Sequence, residues 1–186
     1  MYNWKLVIDA AKFAQSAHAY HNQVRKYSGE PYFVHCEEVA NLLVENIPDL
    51  PEEVRAAAYL HDVVEDVPEV TSGVIEILFG GNVRKLVDDV TDVSKPEDGN
   101  RAKRKSIDRS HLARSSHWGA TIKYADLISN TRDITKQDKD FAMVYLKEKK
   151  LLLQEMTHGD KGMRKLAIDT LEGAWKEIYG EPYIEL

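Results

Sequence analysis

Four residues in one short stretch carry the clearest chemistry. His61 and Asp62 stand side by side, and Glu65 and Asp66 follow, in Arg55-Ala-Ala-Ala-Tyr-Leu-His61-Asp62-Val-Val-Glu65-Asp66-Val-Pro68. On a helix this spacing places Asp62, Glu65 and Asp66 on one side, where like charges repel. The stretch is also the last turn before Pro68, where the negative end of the helix dipole disfavours anions. No Lys or Arg lies one turn away to compensate. A bound cation would relieve both conflicts, and His61 beside Asp62 offers it a nitrogen and an oxygen ligand. The plainer reading is a solvated acidic helix end with His61 against the core. The apolar neighbours Tyr59, Leu60, Val63 and Val64 place the turn near the core, where clustered acids need pairing or a metal, and so favour the cation.

Two distant segments offer further ligands. His35 follows Pro31-Tyr-Phe-Val and opens an amphipathic helix over 36–47. Asp126 lies in Thr121-Ile-Lys-Tyr-Ala-Asp-Leu-Ile-Ser-Asn130, with Asn130 one turn later on the same face. Its neighbours Ala125, Leu127 and Ile128 are poor company for an unpaired carboxylate. Asp126 therefore either joins a site or pairs with Lys123 or Arg132 at the edge of the core.

Helices must position these groups. Val39, Leu42, Leu43 and Ile47 recur at the three and four spacing of one buried helix face, as do Val54, Ala57, Ala58 and Leu60. Ile75, Leu78 and Phe79 precede a second run of Val83, Leu86, Val87 and Val90. Phe141, Val144, Tyr145, Leu151, Leu152 and Met156 predict a long helix, and Leu166, Leu171, Trp175 and Ile178 a last one. Ser28-Gly29-Glu30-Pro31 is a turn, Pro48 and Pro51 bracket a break, and Pro68 ends a segment. Thr71 is placed to cap the helix beginning near Gly73, and Lys95-Pro96-Glu97-Asp98-Gly99-Asn100 reads as an exposed loop. No useful alternating strand pattern and no internal repeat is present. The expectation is one all-α domain over residues 1–186, with about eight or nine helices.

Composition narrows the function classes. The 186 residues carry 25 Lys plus Arg against 31 Asp plus Glu, a formal charge of -6, which suits a general nucleic-acid binder poorly. With 43% hydrophobic and 30% charged residues the chain has the mix of a soluble globular protein. A single cysteine rules out a disulfide framework. Lys5 and Asp9 interrupt the apolar N-terminus, which therefore lacks the uncharged core of a signal peptide. No apolar run approaches the ~20 residues needed to span a bilayer. These features predict a soluble, cytoplasmic protein with no membrane partner.

Taken in order, His35, His61-Asp62 and Asp126 resemble the metal pattern of the HD-domain phosphohydrolases. His61-Asp62-Val-Val-Glu65-Asp66 is similar to the HDxxED signature of the alarmone hydrolases, which act on guanosine tetra- and pentaphosphate in the bacterial stringent response. Arg25-Lys26-Tyr-Ser-Gly-Glu-Pro31-Tyr32-Phe-Val-His35 resembles that family's basic substrate loop and first metal histidine. Lys123-Tyr-Ala-Asp126-Leu-Ile-Ser-Asn130 matches its KxADxxxN segment. The motifs run from Arg25 to Asn130, and the similarity extends through Phe141–Leu153. In length the chain is similar to the small hydrolase-only members of the family.

The resemblance implies an all-α HD-domain bundle and a 3′-pyrophosphohydrolase releasing GDP or GTP. It implies a divalent metal, Mn²⁺ in this family, held by His35, His61, Asp62 and Asp126. Glu65 and Asp66 would orient or deprotonate the attacking water. Arg25, Lys26, Ser28, Lys123, Asn130 and Tyr145 would contact the small-molecule guanosine polyphosphate, the placed cations reversing the field of an acidic protein. Nothing in the resemblance fixes an oligomeric state. Two alternatives stay open: an HD phosphohydrolase for another nucleotide, such as a deoxynucleotide or dinucleotide phosphate, and a non-catalytic nucleotide sensor or antitoxin-like binder. The basic run Arg101-Ala-Lys103-Arg104-Lys105 is either a solvated helix face or a further phosphate contact. Cys36 reads as packing, and so do the scattered Trp4, Trp118 and Trp175. His18, His21, His111, His117 and His158 read as surface or core-edge residues.

Overall fold

The computed structural model describes residues 4–180. Its secondary structure is helical throughout: among the described residues there are nine helices of eight residues or more, one single-turn α-helix and one 3₁₀ turn, with no named strand. The all-α expectation is met. The chain divides into two compact units, Met1–Thr91 and Asp92–Leu186.

The first unit is built around a helix of small residues. It contains α1 (Trp4–Tyr20), α2 (Phe33–Asn46), α3 (Glu52–Leu60), α4 (Val63–Asp66), α5 (Ser72–Phe79) and α6 (Gly81–Val90). Ala56, Ala57 and Ala58 of α3 are fully buried on successive faces, 100° apart around the axis, and α1, α2 and α6 pack against α3. Glu52 and Glu53 sit in the first turn of α3, where the helix dipole favours acids.

The acidic stretch does not run as one helix up to Pro68, as the spacing predicts. α3 stops at Leu60, and the His61 ring provides the reason: its Nδ1 lies 2.9 Å from the carbonyl of Ala58 and takes up an acceptor at the end of the helix. After the turn through Asp62, at φ -99 and ψ -6, α4 restarts as a single turn. Asp62 thus stands at the N-terminal edge of α4, with Glu65 and Asp66 within its turn. The supposed conflict with a long helix's negative end is absent. The need for a positive centre arises instead from side-chain geometry, described below.

α2 likewise begins earlier than the 36–47 expected. Tyr32 occupies its N-cap position, so His35 lies inside the first turn rather than before it. Thr71 caps α5 as expected, its hydroxyl accepting from the amide of Val74 at 3.4 Å.

The second unit contains α7 (Arg101–Leu112), α8 (His117–Gln137), α9 (Lys139–Glu155) and α10 (Lys161–Tyr179). Side chains cap the start of each: Asn100 accepts from Lys103, Ser116 from Gly119, Asp138 from Phe141 and Asp160 from Met163. α8 is buried on all sides, every residue from Gly119 to Ser129 being covered. Such burial tolerates hydroxyls because they bond within the helix: Thr121, Thr131 and Thr135 each donate to the carbonyl four residues back at 2.7 Å. α9 and α10 pack on α8.

The segment Lys95–Asn100 is exposed, as expected, but folds as a 3₁₀ turn over Pro96–Asp98. The buried carboxylate of Asp108 ties its approach to α7. It accepts from the amides of Val93 and Ser94 at 3.1 and 2.8 Å and from the Ser94 hydroxyl at 2.9 Å. Between α9 and α10, Gly159 adopts φ +95 beneath the ring of Tyr124. No helix among the described residues is long and apolar enough to cross a membrane.

Candidate metal centre

The first turn of α2 and the break after α3 bring His35, His61 and Asp62 together in the first unit. One donor atom from each lies within 4.8 Å of the others. His35 Nε2 is 3.2 Å from His61 Nε2, and Asp62 Oδ2 lies 3.0 Å from His61 Nε2 and 3.5 Å from His35 Nε2. Because His61 Nδ1 faces the Ala58 carbonyl, that nitrogen carries the proton and Nε2 keeps its lone pair. Two nitrogens and a carboxylate oxygen this close require a positive centre, either a proton or a metal ion. Both imidazoles are buried, and a mixed nitrogen and oxygen donor set of this kind fits a divalent metal.

The surroundings orient the ligands. The Tyr32 hydroxyl donates to Asp62 Oδ2 at 2.6 Å, and its ring packs edge-on against His35. Glu65 and Asp66 are exposed on α4. Asp66 accepts from Gln23 Nε2 at 2.8 Å. Loss of hydration, and then the Asp62 charge, raise the Asp66 carboxyl above the ordinary range, although the Gln23 bond opposes the rise.

The loop between α1 and α2 holds the expected substrate residues. A bridge between Val24 and Pro31 pinches it, with Gly29 at φ +72 in the turn. Arg25 is largely buried and reaches Glu38 Oε2 at 3.2 Å, rather than being a solvated loop cation. Lys26 is exposed, its ammonium 3.0 Å from the Tyr27 hydroxyl. Ser28 is exposed, and its hydroxyl accepts from the Glu30 amide at 3.4 Å.

Asp126, Lys123, Asn130 and Tyr145 belong to the second unit. Asp126 is buried on α8; Lys123 Nζ lies 2.9 Å from its Oδ2, and Asn130 Nδ2 donates to its Oδ1 at 2.5 Å. The pairing with Lys123, which the sequence left open, is present. Tyr145 is buried, and its hydroxyl donates to the Leu127 carbonyl at 3.4 Å. Burial and the Asp126 charge push that phenol well above its usual range. In the basic run, Arg101 makes a two-pronged pair with Glu148 at 2.7 and 2.8 Å, and Lys105 reaches Asp92 at 2.6 Å. Loss of hydration would raise Asp92, but the charges of Lys123 and Lys105 outweigh it and hold the carboxyl below the usual range.

The structure corrects one dismissal. His18 is not a surface or core-edge residue; it is fully buried, with Nδ1 2.7 Å from Gln23 Oε1 and its ring against Tyr32. The run Val7, Ala10, Ala14, His18 carries the signal, since its helical spacing puts His18 on the buried face of α1. Gln23 and Tyr32 have no comparable local signature. Cys36 is buried packing, as expected, with its sulfur 3.7 Å from His18 Nε2.

Residues 10–143 match the family described as HD domain, and the chain belongs to that family. It is 36% identical over 131 residues to the mouse protein named guanosine-3′,5′-bis(diphosphate) 3′-pyrophosphohydrolase MESH1, the match covering 70% of each chain. It is 38% identical over 149 residues to the chloroplastic RSH1 protein of rice, covering 74% of this chain but spanning only 16% of the rice protein. A solved structure titled as a metazoan ortholog of SpoT that hydrolyzes ppGpp and plays a role in starvation responses superposes with a TM-score of 0.80. Its sequence is 26% identical, and the match covers 93% of this chain and 97% of that one.

Proposed function

We propose that this chain is a divalent-metal-dependent hydrolase that removes the 3′-pyrophosphate of guanosine tetra- and pentaphosphate, releasing GDP or GTP. The observation that carries the reading is the convergence of His35, His61 and Asp62 within 4.8 Å, one turn before Glu65 and Asp66. The names of the relatives supply the substrate class, and the HD framework supplies the reaction class.

His35, His61 and Asp62 would hold the metal, with Asp126 as the fourth ligand on the strength of its KxADxxxN segment; residues 1–186 are read as one HD domain. The bound metal, Mn²⁺ in this proposal, would lower the pKa of a water and polarise a phosphoryl oxygen. Glu65 and Asp66 would orient the attacking water, one of the two taking up its proton. The water oxygen bonds to the phosphorus next to the ribose, the P–O3′ bond breaks, O3′ takes up a proton, and pyrophosphate leaves. Lys26 and Ser28, both exposed, are open to an incoming phosphate or base. Arg25, Lys123, Asn130 and Tyr145 complete the proposed substrate contacts, and in this reading the enzyme is cytoplasmic.

The test is hydrolysis of guanosine tetraphosphate, guanosine pentaphosphate and a panel of other nucleotides by Mn²⁺-loaded protein. The expected products are pyrophosphate with GDP or GTP, lost on chelation and restored by Mn²⁺. Asp62→Ala and Glu65→Ala should each lower kcat by about 10²–10⁴-fold. Loaded protein that leaves both guanosine polyphosphates intact overturns the reading.

A further inference from the structure

We infer that His18 and Gln23 form a one-directional hydrogen-bond chain that fixes the orientation of the Asp66 carboxylate, which makes both of them positioning residues. The inference rests on the hydrolase reading above, in which Asp66 is one of the two carboxylates that orient or deprotonate the attacking water.

The direction of the chain follows from the inventory of donors and acceptors. An ionised Asp66 can only accept, so the 2.8 Å contact from Gln23 must be made by the amide nitrogen. The Gln23 carbonyl oxygen then faces His18 Nδ1 at 2.7 Å and needs a donor there. His18 must therefore carry its proton on Nδ1, which leaves a lone pair on Nε2. The sulfur of Cys36 lies 3.7 Å from that lone pair, within reach of an S–H donor. With a neutral His18 each group in the series has one consistent role, and flipping the Gln23 amide would set its carbonyl oxygen against the Asp66 carboxylate.

The position of the chain matters because of what it steadies. Asp66 sits in a single helical turn, and the Gln23 amide donates a side-chain hydrogen bond to its carboxylate. The amide of Gln23 holds Oδ2, leaving Oδ1 to receive a proton. His18, only 1% exposed, cannot turn to follow a moving Gln23. Its ring lies 4.9 Å from that of Tyr32, whose hydroxyl holds Asp62. One buried imidazole thus braces two carboxylates by separate arms, through Gln23 to Asp66 and through Tyr32 to Asp62.

The experiment uses the full chain and reads both turnover and proton position. Gln23→Met keeps the volume but removes both hydrogen bonds. It should lower kcat about 10–100-fold, with KM and Mn²⁺ affinity within about two-fold of the parent. In an Asp66→Asn background the same change should cost little more, because the chain then has nothing to orient. His18→Leu should behave like Gln23→Met, whereas His18→Asn, whose amide nitrogen can stand in for Nδ1–H, should recover most of the lost rate. In ¹⁵N NMR of the metal-free protein, His18 should carry its proton on Nδ1, and Gln23→Met should move it to Nε2. Turnover by Gln23→Met at the parental rate, or a parental His18 protonated on Nε2, overturns the inference. Failure of the parental protein to hydrolyse any guanosine polyphosphate sinks the hydrolase reading instead, and the NMR result still decides whether the chain exists.

Discussion

Tyr32 donates its hydroxyl hydrogen to Asp62 Oδ2 at 2.6 Å, the same oxygen that faces the ring nitrogens of His61 and His35. Removing a group that orients a metal ligand from behind typically costs about 10–100-fold in metal affinity. Tyr32→Phe removes this one hydrogen bond while keeping the ring packed on His18 and His35. Mn²⁺ affinity should fall about 10–100-fold in a calorimetric titration, with the thermal midpoint of the metal-free protein little changed. Parental affinity in Tyr32→Phe would mean that Asp62 needs no such support.

Gly159 is where the backbone tolerates no side chain. It holds φ +95, and a Cβ there would come within 2.9 Å of Tyr124 Cε2 and 3.1 Å of Ala120 Cβ. The Tyr124 ring cannot swing aside freely, because its hydroxyl donates to the carbonyls of Met156 at 2.7 Å and His158 at 2.6 Å. Burial also raises that phenol to about 12, so it stays a donor at working pH. Backbone strain and overpacking together should make Gly159→Ala about 2–4 kcal/mol less stable in urea unfolding. A loss below half of the lower figure would show that the α9–α10 turn relaxes easily.

Lys149 gives a pH dependence of determinate sign. Loss of hydration, followed by the charge of Lys123, pulls its ammonium down to about 8 from an ordinary 10.5. Below about pH 8 the native state carries a charge it would prefer to shed, and this cost is constant. Between about pH 8 and 10.5 the unfolded chain holds the proton that the native state has released, so this group makes stability rise with pH. Lys149→Met should accordingly be about 1–2 kcal/mol more stable at pH 7, the full shift being discounted because the side chain is not wholly shut off from water. That advantage should shrink through this window and be gone above it. An advantage independent of pH would trace the gain to packing instead.

Most of the helical framework is legible because its signals are local. Runs such as Val83, Leu86, Val87 and Val90 reach the buried face they predict, and Thr71 caps where its side chain suggests. His61 and Asp62 are equally legible as a juxtaposed pair, although the acids stand on a separate turn rather than at the end of one continuous helix. The break after Leu60 escapes periodicity because its cause is a side chain bonding to a carbonyl three residues back. Gln23, Tyr32 and the pairing of Arg25 with Glu38 escape for another reason. Each depends on where a loop lands against residues 13 to 43 positions away, and no local rule specifies that.

A helix of four residues has no stability of its own in water. α4 exists because Val63 and Val67, fully and almost fully buried, peg its two ends into the first unit. The two acids it displays, Glu65 and Asp66, are therefore only as durable as those pegs. On warming, this turn can fray while the longer helices around it persist. The display of Glu65 and Asp66 and the folded state are then separate thermal properties, with two valines setting the lower limit.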